Sequence, residues 1–234
     1  MNFVKHLTVV SVFGLIASAV LPANAVTLAE YDFQGDVVTP SATVGNVTAT
    51  NFVFNNSAGG GTTNFFNGPN GSGDDAFAAD GWDVNGNDVN AAILSDPNQS
   101  DFFAFTITPD DGFFLDLDSL TFDLRASGTG PDNAVVRSNL DGFSTNLSNF
   151  DVSSTSFETD LTTTFDSSFD FLTSTTVFWV TGVGATASGG TLRIDNVVLD
   201  GTVAPVPFET EGTVGLVILG SYFWYRNRKK RNQA

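Results

Sequence analysis

Short segments with an apolar residue at every second position run through the middle of this chain. Two of them are clear: Phe103, Phe105 and Ile107, and then Leu120, Phe122 and Leu124. A period of two gives a strand one face in a core and one face in water. Between residues 26 and 204 no segment has a 3.6-residue period, and Gly, Asn, Asp and Ser clusters separate the apolar runs. The pattern therefore predicts an all-β domain.

Nine strand candidates are enough for two packed sheets. They span residues 28–33, 48–54, 91–94, 102–108, 119–127, 134–138, 156–161, 176–182 and 190–203. The polar stretches 55–73 and 126–133 are predicted to be loops over the ends of the sandwich. Most of the 23 phenylalanines are expected to fill the space between the sheets.

The last strand candidate changes its alternation at Asp195 and Asn196. The apolar positions on either side have opposite parity: Leu192 and Ile194 before, Val197 and Leu199 after. One extra residue, a β-bulge, would explain the change, and bulges often re-aim a side chain. Asp195 is therefore a candidate ligand as well as a strand acid.

Residues 1–25 have the layout of a secretory signal peptide. Lys5 and His6 precede an apolar run over residues 7–21, and Ala23 and Ala25 form a small-x-small cleavage site. An uncleaved anchor is disfavoured by the short apolar core. We expect export, cleavage by signal peptidase and a mature chain that begins near Val26.

The C-terminal tail has three consecutive parts. Residues 205–213 are a linker with a proline and acid motif, residues 214–225 are apolar, and residues 226–234 are basic. Lys and Arg resist translocation, so the basic part should remain cytoplasmic. A helix over 212–225 would reach about 21 Å against a bilayer core of about 30 Å, which suits a span that is held briefly and then cut. The alternative is a C-terminal helix of the domain itself. The sorting motif consists of Pro207, Phe208, Glu209, Glu211 and Gly212. The basic cluster consists of Arg226, Arg228, Lys229, Lys230 and Arg231.

This tail resembles a PEP-CTERM sorting signal, which an exosortase recognises in Gram-negative bacteria that make exopolysaccharide. The usual Pro-Glu-Pro core is replaced here by Pro207, Phe208 and Glu209. The resemblance implies an exosortase-like processing protease as a partner. It also implies transient anchoring in the membrane by the C-terminal helix and delivery to the cell surface or extracellular matrix.

The composition of residues 26–204 excludes much chemistry. This part has 24 acidic residues against three arginines, no Lys and no His, and the chain has no Cys. Serine or cysteine nucleophile systems with His, Schiff-base lysines and zinc sites of His or Cys are thereby excluded. Nucleic acid is excluded as a partner because phosphates need clustered Lys and Arg. Carboxylate chemistry, oxygen-ligand metals and neutral hydrogen bonding remain.

Three segments carry a second resemblance. Residues 119–131, 136–143 and 189–201, the last containing Leu-Arg-Ile-Asp-Asn-Val-Val-Leu-Asp, are similar to exported β-sandwich domains that accompany PEP-CTERM tails. Those domains resemble the jelly-roll modules of many carbohydrate-binding proteins. The resemblance implies a two-sheet sandwich of jelly-roll type over residues 26–204.

Two groups of oxygen-bearing side chains are candidate calcium sites. Asp83, Asn85 and Asn87 alternate in a flexible loop, as calcium permits, although a solvated Asx-rich turn is the alternative. In jelly-roll carbohydrate-binding modules a structural calcium commonly joins the first and last strands. The resemblance therefore implies a second calcium site, formed by Glu30, Asp32, Asp195 and Asp200. The alternative is that these four are exposed strand acids without a bound ion.

A polar ligand groove is a further hypothesis. Arg125 and Arg137 flank one loop, Asp141 follows, and Trp82 or Trp179 could stack on a sugar ring. The alternative is that the arginines are held by structural partners such as Asp123, Asp132 or Asp141, and that the tryptophans are core.

The sequence thus favours a non-catalytic, exported surface or matrix protein associated with exopolysaccharide. The alternative is a glycan-active module, either a lectin-like binder with or without calcium or a weak carboxylate-based glycosidase. A carboxylate pair about 5–10 Å apart could hydrolyse a glycosidic bond, but with 24 acids some pair always meets that spacing. An open groove lined by a tryptophan would favour glycan binding, and enclosed tryptophans would favour the structural role.

Overall fold

The computed structural model describes residues 25–56, 61–82 and 101–207. Within these ranges the regular structure is β-strand, apart from short 3-10 helices at Asn139–Asp141 and Ser167–Phe169. The strands are β1 (Val26–Tyr31), β2 (Ala42–Thr43), β3 (Val47–Ala49), β4 (Val53–Asn55), β5 (Thr63–Gly68), β6 (Gly71–Ala79), β7 (Phe102–Pro109), β8 (Phe113–Ala126), β9 (Asn133–Ser138), β10 (Ser148–Asp151), β11 (Glu158–Thr164), β12 (Thr176–Val183) and β13 (Leu192–Pro205).

The strands form two antiparallel sheets, which confirms the predicted all-β, two-sheet class. The first sheet runs β11-β8-β13-β1-β2, with the β5–β6 hairpin also joined to β13 through β6. The second runs β10-β9-β12-β7-β3, with β4 also paired to β7. Eight strands, β1 and β7 to β13, make two four-stranded layers between which the chain repeatedly crosses, and this is the arrangement of a jelly roll.

The core lies between the sheets and is rich in aromatic rings. Phe52 is at its centre, with ring centroids of five other aromatic side chains within 6.0 Å. Most predicted core phenylalanines are buried, but Phe171 is 68% exposed and Phe66 is also at the surface. The alternation on β7 and β8 therefore predicted the core face correctly.

One predicted loop is wrong. Residues 55–73 contain β5 and the start of β6, whose hairpin pairs Thr63 with Ala79 and Asn67 with Asp75. Small and polar side chains can occupy the water-facing side of a strand, so their abundance did not exclude one. Residues 127–132 do form the predicted connection between β8 and β9.

The predicted bulge in β13 is present. Asp195 lies opposite Asp123, whereas Val198 lies opposite Thr121, so β13 has one extra residue there. Asn196 has a φ of 49°, the left-handed conformation that asparagine tolerates better than most residues. The bulge lets Ile194 and Val197 both point into the core.

The predicted signal peptide, strand 91–94, apolar segment 214–225 and basic tail lie outside the described residues. Within the described ranges, no helix has the length and apolar character needed to cross a bilayer. β13 ends at Pro205, and Val206 N–H donates to the carbonyl of Gly112 at 2.8 Å.

Candidate functional site

The predicted ligand groove is divided by the fold. Arg125 is on β8 in the first sheet and Arg137 is on β9 in the second, because the loop after β8 carries the chain across the sandwich. Arg125 lies opposite Arg193 of β13. The guanidinium of Arg193 stacks over the Phe66 ring, 4.4 Å from its centroid. The two arginines that flank one loop in sequence therefore do not line one groove.

Arg137 is buried and hydrogen-bonded to a side chain that the sequence analysis did not name. It is only 1% exposed, and its Nε donates to Asn146 Oδ1 at 2.7 Å. Burial lowers the pKa of Arg137, and the nearby Asp141 carboxylate opposes that shift. Arg137 and Asp141 therefore lie near each other, an arrangement that both the groove hypothesis and its structural alternative include.

Asp141 is held in a turn. Its carboxylate accepts the N–H of Ser144 at 3.1 Å and that of Thr145 at 2.9 Å, together with both hydroxyls. Partial burial works against the ionised form, but these four hydrogen bonds hold the pKa of Asp141 below its usual value. Its oxygens already have donors, so Asp141 orders the loop.

Neither predicted stacking tryptophan is open to a ligand. Trp82 is 1% exposed and donates its Nε1–H to Ala79 O at 2.8 Å. Trp179 is 6% exposed and lies between the rings of Phe102 and Phe143, with centroids 4.0 and 3.5 Å away and nearly parallel planes. Both faces of the Trp179 indole are covered, so a sugar ring could stack on it only after these rings moved.

A polar cleft lies beside the Asp141 turn. Its volume is about 320 Å³, and it lies where the end of β9 and its 3-10 helix meet the end of β11 and the second 3-10 helix. The lining residues are Ser138, Leu140, Asp141, Thr145, Asn146, Leu147, Thr164, Phe165, Asp166, Ser168 and Phe169. Sequence reasoning found only Asp141 among them, because the two segments belong to different sheets and no local pattern joins them. Hydroxyls and carboxylates beside apolar groups can hydrogen-bond a sugar.

The predicted calcium ligands of the first and last strands fall into two groups. Glu30 lies opposite Val198, and Asp200 lies opposite Thr27, whose hydroxyl donates to Asp200 Oδ1 at 3.0 Å. Asp195 lies apart from them at the bulge. Asp83, Asn85 and Asn87 are outside the described residues.

Asp195 is the most perturbed acid of the described ranges. Its side chain is 0% exposed, and burial raises its pKa to about 8. The hydrogen bond from Asn196 N–H opposes this rise, whereas the charges of Asp74, Asp123 and Asp32 increase it. Asp32 and Asp74 are therefore near enough to act on Asp195 electrostatically, and sequence reasoning missed Asp74. Within the three described ranges, however, no three acidic side chains converge closely enough to hold a metal by themselves.

No family model and no curated protein matches this chain. Among solved structures, similar chains include the tandem CBM22 domains of Xyn10C from Paenibacillus barcinonensis (10% identity, 80% of this chain and 49% of that one, TM-score 0.44). A second is CBM27-1 of Caldicellulosiruptor saccharolyticus, solved with mannohexaose (14% identity, 75% of this chain and 96% of that one, TM-score 0.41). A third is the K3 cleaved adhesin domain of Lys-gingipain from Porphyromonas gingivalis (11% identity, 76% of this chain and 99% of that one, TM-score 0.41). The chain spans about half the length of the CBM22 tandem. At these identities and TM-scores, what those proteins bind is not transferred to this chain.

Proposed function

We propose that this protein is a non-catalytic, exported component of the cell surface or extracellular matrix, which displays its β-sandwich after sorting through the C-terminal tail. The observation that carries the proposal is the enclosure of both tryptophans of the sandwich. A sugar-binding platform exposes aromatic faces, whereas here they add to packing.

Both ends of the sandwich suit removal of the terminal segments. β1 begins at Val26, so signal-peptide cleavage before that residue leaves the strand complete. β13 ends at Pro205, so a cut beyond Pro207 leaves β13 complete. These boundaries support processing at both ends without loss of the folded domain.

Glycosidase activity is the less favoured alternative. An acid with a raised pKa is the usual proton donor of such enzymes, and Asp195 has that property. Asp195 is fully buried, however, and does not line the cleft beside Asp141. A general acid must reach the glycosidic oxygen, so we assign Asp195 no catalytic role.

Fractionation of the producing cells tests the sorting proposal. The full chain should be found with the cell surface or matrix, and a chain that ends at Pro207 should be released to the medium. As a control, a full chain whose five basic residues from 226 to 231 are changed to Gln should lose retention without a change in the sandwich. Equal fractionation of the full and truncated chains would contradict the proposal.

The polar cleft supports a second candidate function, direct contact with polysaccharide. Thr164 lines the cleft, whereas Thr162, two residues earlier on β11, does not. We expect the full chain to co-sediment with the cell's own exopolysaccharide. Thr164→Leu should weaken this binding because it removes a hydroxyl and narrows the cleft, while the matched variant Thr162→Leu should not. Equal binding by both variants would exclude the cleft as the contact.

A further inference from the structure

A row of four residues crosses the outer face of the first sheet. Arg193 of β13 lies opposite Ala78 of β6 on one side and opposite Arg125 of β8 on the other. Ala78 in turn lies opposite Asn64 of β5. The residues before and after the row on β6, β8 and β13 belong to the buried core, so the row itself faces away from the core. At about 4.8 Å between strands, the row is about 14 Å long.

Arg125 and Arg193 are like charges that oppose each other without a counter-charge. Directly opposed residues of antiparallel strands have Cβ atoms about 4.5–5.5 Å apart, where like charges are destabilising. Burial lowers the pKa of Arg193, the charge of Arg125 lowers it further, and no carboxylate acts in the other direction. Within the described ranges, the buried Nε–H of Arg193 has no acceptor. The pair is thus left unneutralised although residues 26–204 contain 24 acids.

The acids near this row are engaged elsewhere. Asp123 precedes the arginine of β8 by two positions, and each of its oxygens accepts another hydrogen bond, both at 2.8 Å. Asp80 accepts the N–H of Thr62 at 2.6 Å and its hydroxyl at 3.0 Å. Asp195 follows Arg193 by two positions, but it is fully buried and no arginine contributes to its pKa. The two guanidinium groups therefore have N–H donors for an anion from solution.

The surroundings of the pair offer neutral hydrogen-bonding groups. The guanidinium of Arg193 lies 4.4 Å from the centroid of the Phe66 ring, and this cation–π contact orients the planar group. Phe66 also borders a small cleft of about 60 Å³, which hydroxyl and amide groups of Thr62, Asn64 and Thr191 help to line. An anion on the arginines would therefore have partners for hydroxyl groups directly beside it.

We propose that Arg125 and Arg193 bind the carboxylate of an acidic sugar, a uronate unit of a mostly neutral glycan, whose hydroxyl groups contact the cleft beside Phe66. A guanidinium binds a carboxylate through two parallel N–H···O bonds, and a bound anion also removes the repulsion within the pair. The acids of the domain repel a densely charged polymer. A single carboxylate is screened from acids more than about 8 Å away at physiological ionic strength.

The proposal concerns a different place from the cleft beside Asp141. That cleft lies at the ends of β9 and β11, whereas the arginine pair lies on β8 and β13. The recognition is by charge, so it needs no exposed tryptophan. It also holds for the purified chain whether or not the C-terminal tail directs sorting.

Titration of the full chain with methyl glucuronide tests the assignment. Amide chemical shifts in NMR report both the affinity and the place of binding. Methyl glucoside serves as the neutral analogue, and acetate serves as a carboxylate without a sugar. We expect shifts at the row formed by Asn64, Ala78, Arg193 and Arg125. Methyl glucuronide should bind at least about tenfold more tightly than methyl glucoside and about threefold more tightly than acetate.

Three variants separate the pair from the overall charge. Arg125→Gln and Arg193→Gln should each weaken glucuronide binding about tenfold or more, because each loses charge-assisted hydrogen bonds. The control Asn149→Asp makes the same change in net charge at an exposed position of β10 in the other sheet, and should bind like the wild-type chain. Arg125→Gln should leave the Tm unchanged or higher, since it removes one of two opposed like charges. An arginine with only a structural role would lower the Tm when replaced.

Each contrary result overturns the proposal. It fails if the wild-type chain binds no glucuronide, if acetate binds as tightly (an adventitious ion only), or if Asn149→Asp weakens binding as much as Arg125→Gln. Shifts confined to the surroundings of Asp141 would place the sugar in the other cleft. A dimer in sedimentation that Arg125→Gln abolishes would assign the pair to an acidic group of a second copy. If Arg193→Gln does not fold, Arg125→Gln decides the question.

Discussion

Lowering the pH of the calcium-free protein from about 8 to about 5 is expected to stabilise it. The expectation depends on Asp195, whose pKa is raised to about 8 mainly by burial. The N–H of Asn196 opposes the rise, and Asp74, Asp123 and Asp32 contribute to it. In the unfolded chain the same carboxyl group has a pKa of about 3.9.

The size and sign of the effect follow from proton linkage. Between about pH 4 and pH 8 the folded state holds a proton on Asp195 that the unfolded state has released. The free energy of unfolding therefore falls as the pH rises, by at most about 1.4 kcal/mol per pH unit. This contribution is complete below about pH 4 and is lost above about pH 8.

Urea unfolding of the full chain in chelator at pH 5, 6, 7 and 8 measures the slope. Asp195→Asn should flatten it, because no proton is taken up there, and Asp200→Asn should leave it unchanged. Parallel profiles for the wild-type chain and Asp195→Asn would refute this reasoning.

Three further outcomes are expected. Phe52→Ala should lower the free energy of unfolding by about 3–5 kcal/mol in urea titrations, because it empties the centre of the core. Phe171→Ala should lower it by only about 1 kcal/mol or less, because Phe171 is 68% exposed and its ring contacts Phe114 alone among the aromatic side chains of the described ranges. Gly68→Ala should lower the Tm, since its Cβ would collide with the carboxylates of Asp195 and Asp74, while Gly128→Ala has open space and should leave the Tm unchanged. Raising NaCl from about 10 mM to about 0.5 M should raise the Tm of the calcium-free chain, because salt screens the repulsion among its many acids.

The strand faces and the bulge could be predicted from the sequence because both depend on local patterns. Alternation along β7 and β8 identifies the side that packs, and the change of parity around Asp195 requires an extra residue. Turn residues likewise located the loop between β8 and β9. These features depend on neighbours within a few positions, so one chain is enough to reveal them.

The arrangement around the candidate sites depends on pairings that no local pattern specifies. Arg125 and Arg137 are close in sequence, yet the chain crosses from one sheet to the other between them. Asp74 meets Asp195 only because β6 joins the edge of β13 next to β1. The Gly- and Asn-rich β5–β6 hairpin lacks clear alternation, so its partner strand could not be predicted.

Asp195 differs from the other acids of this domain because it lacks enough donors and has no cationic side chain as a partner. Asp141 obtains four donors from its own turn, and Asp123 obtains one donor on each oxygen. Arg193 precedes Asp195 by two residues, but its guanidinium lies over Phe66. Residues 26–204 contain no lysine or histidine that could neutralise the buried acid. A proton is then the partner that remains at neutral pH, because burial raises the pKa of Asp195 to about 8.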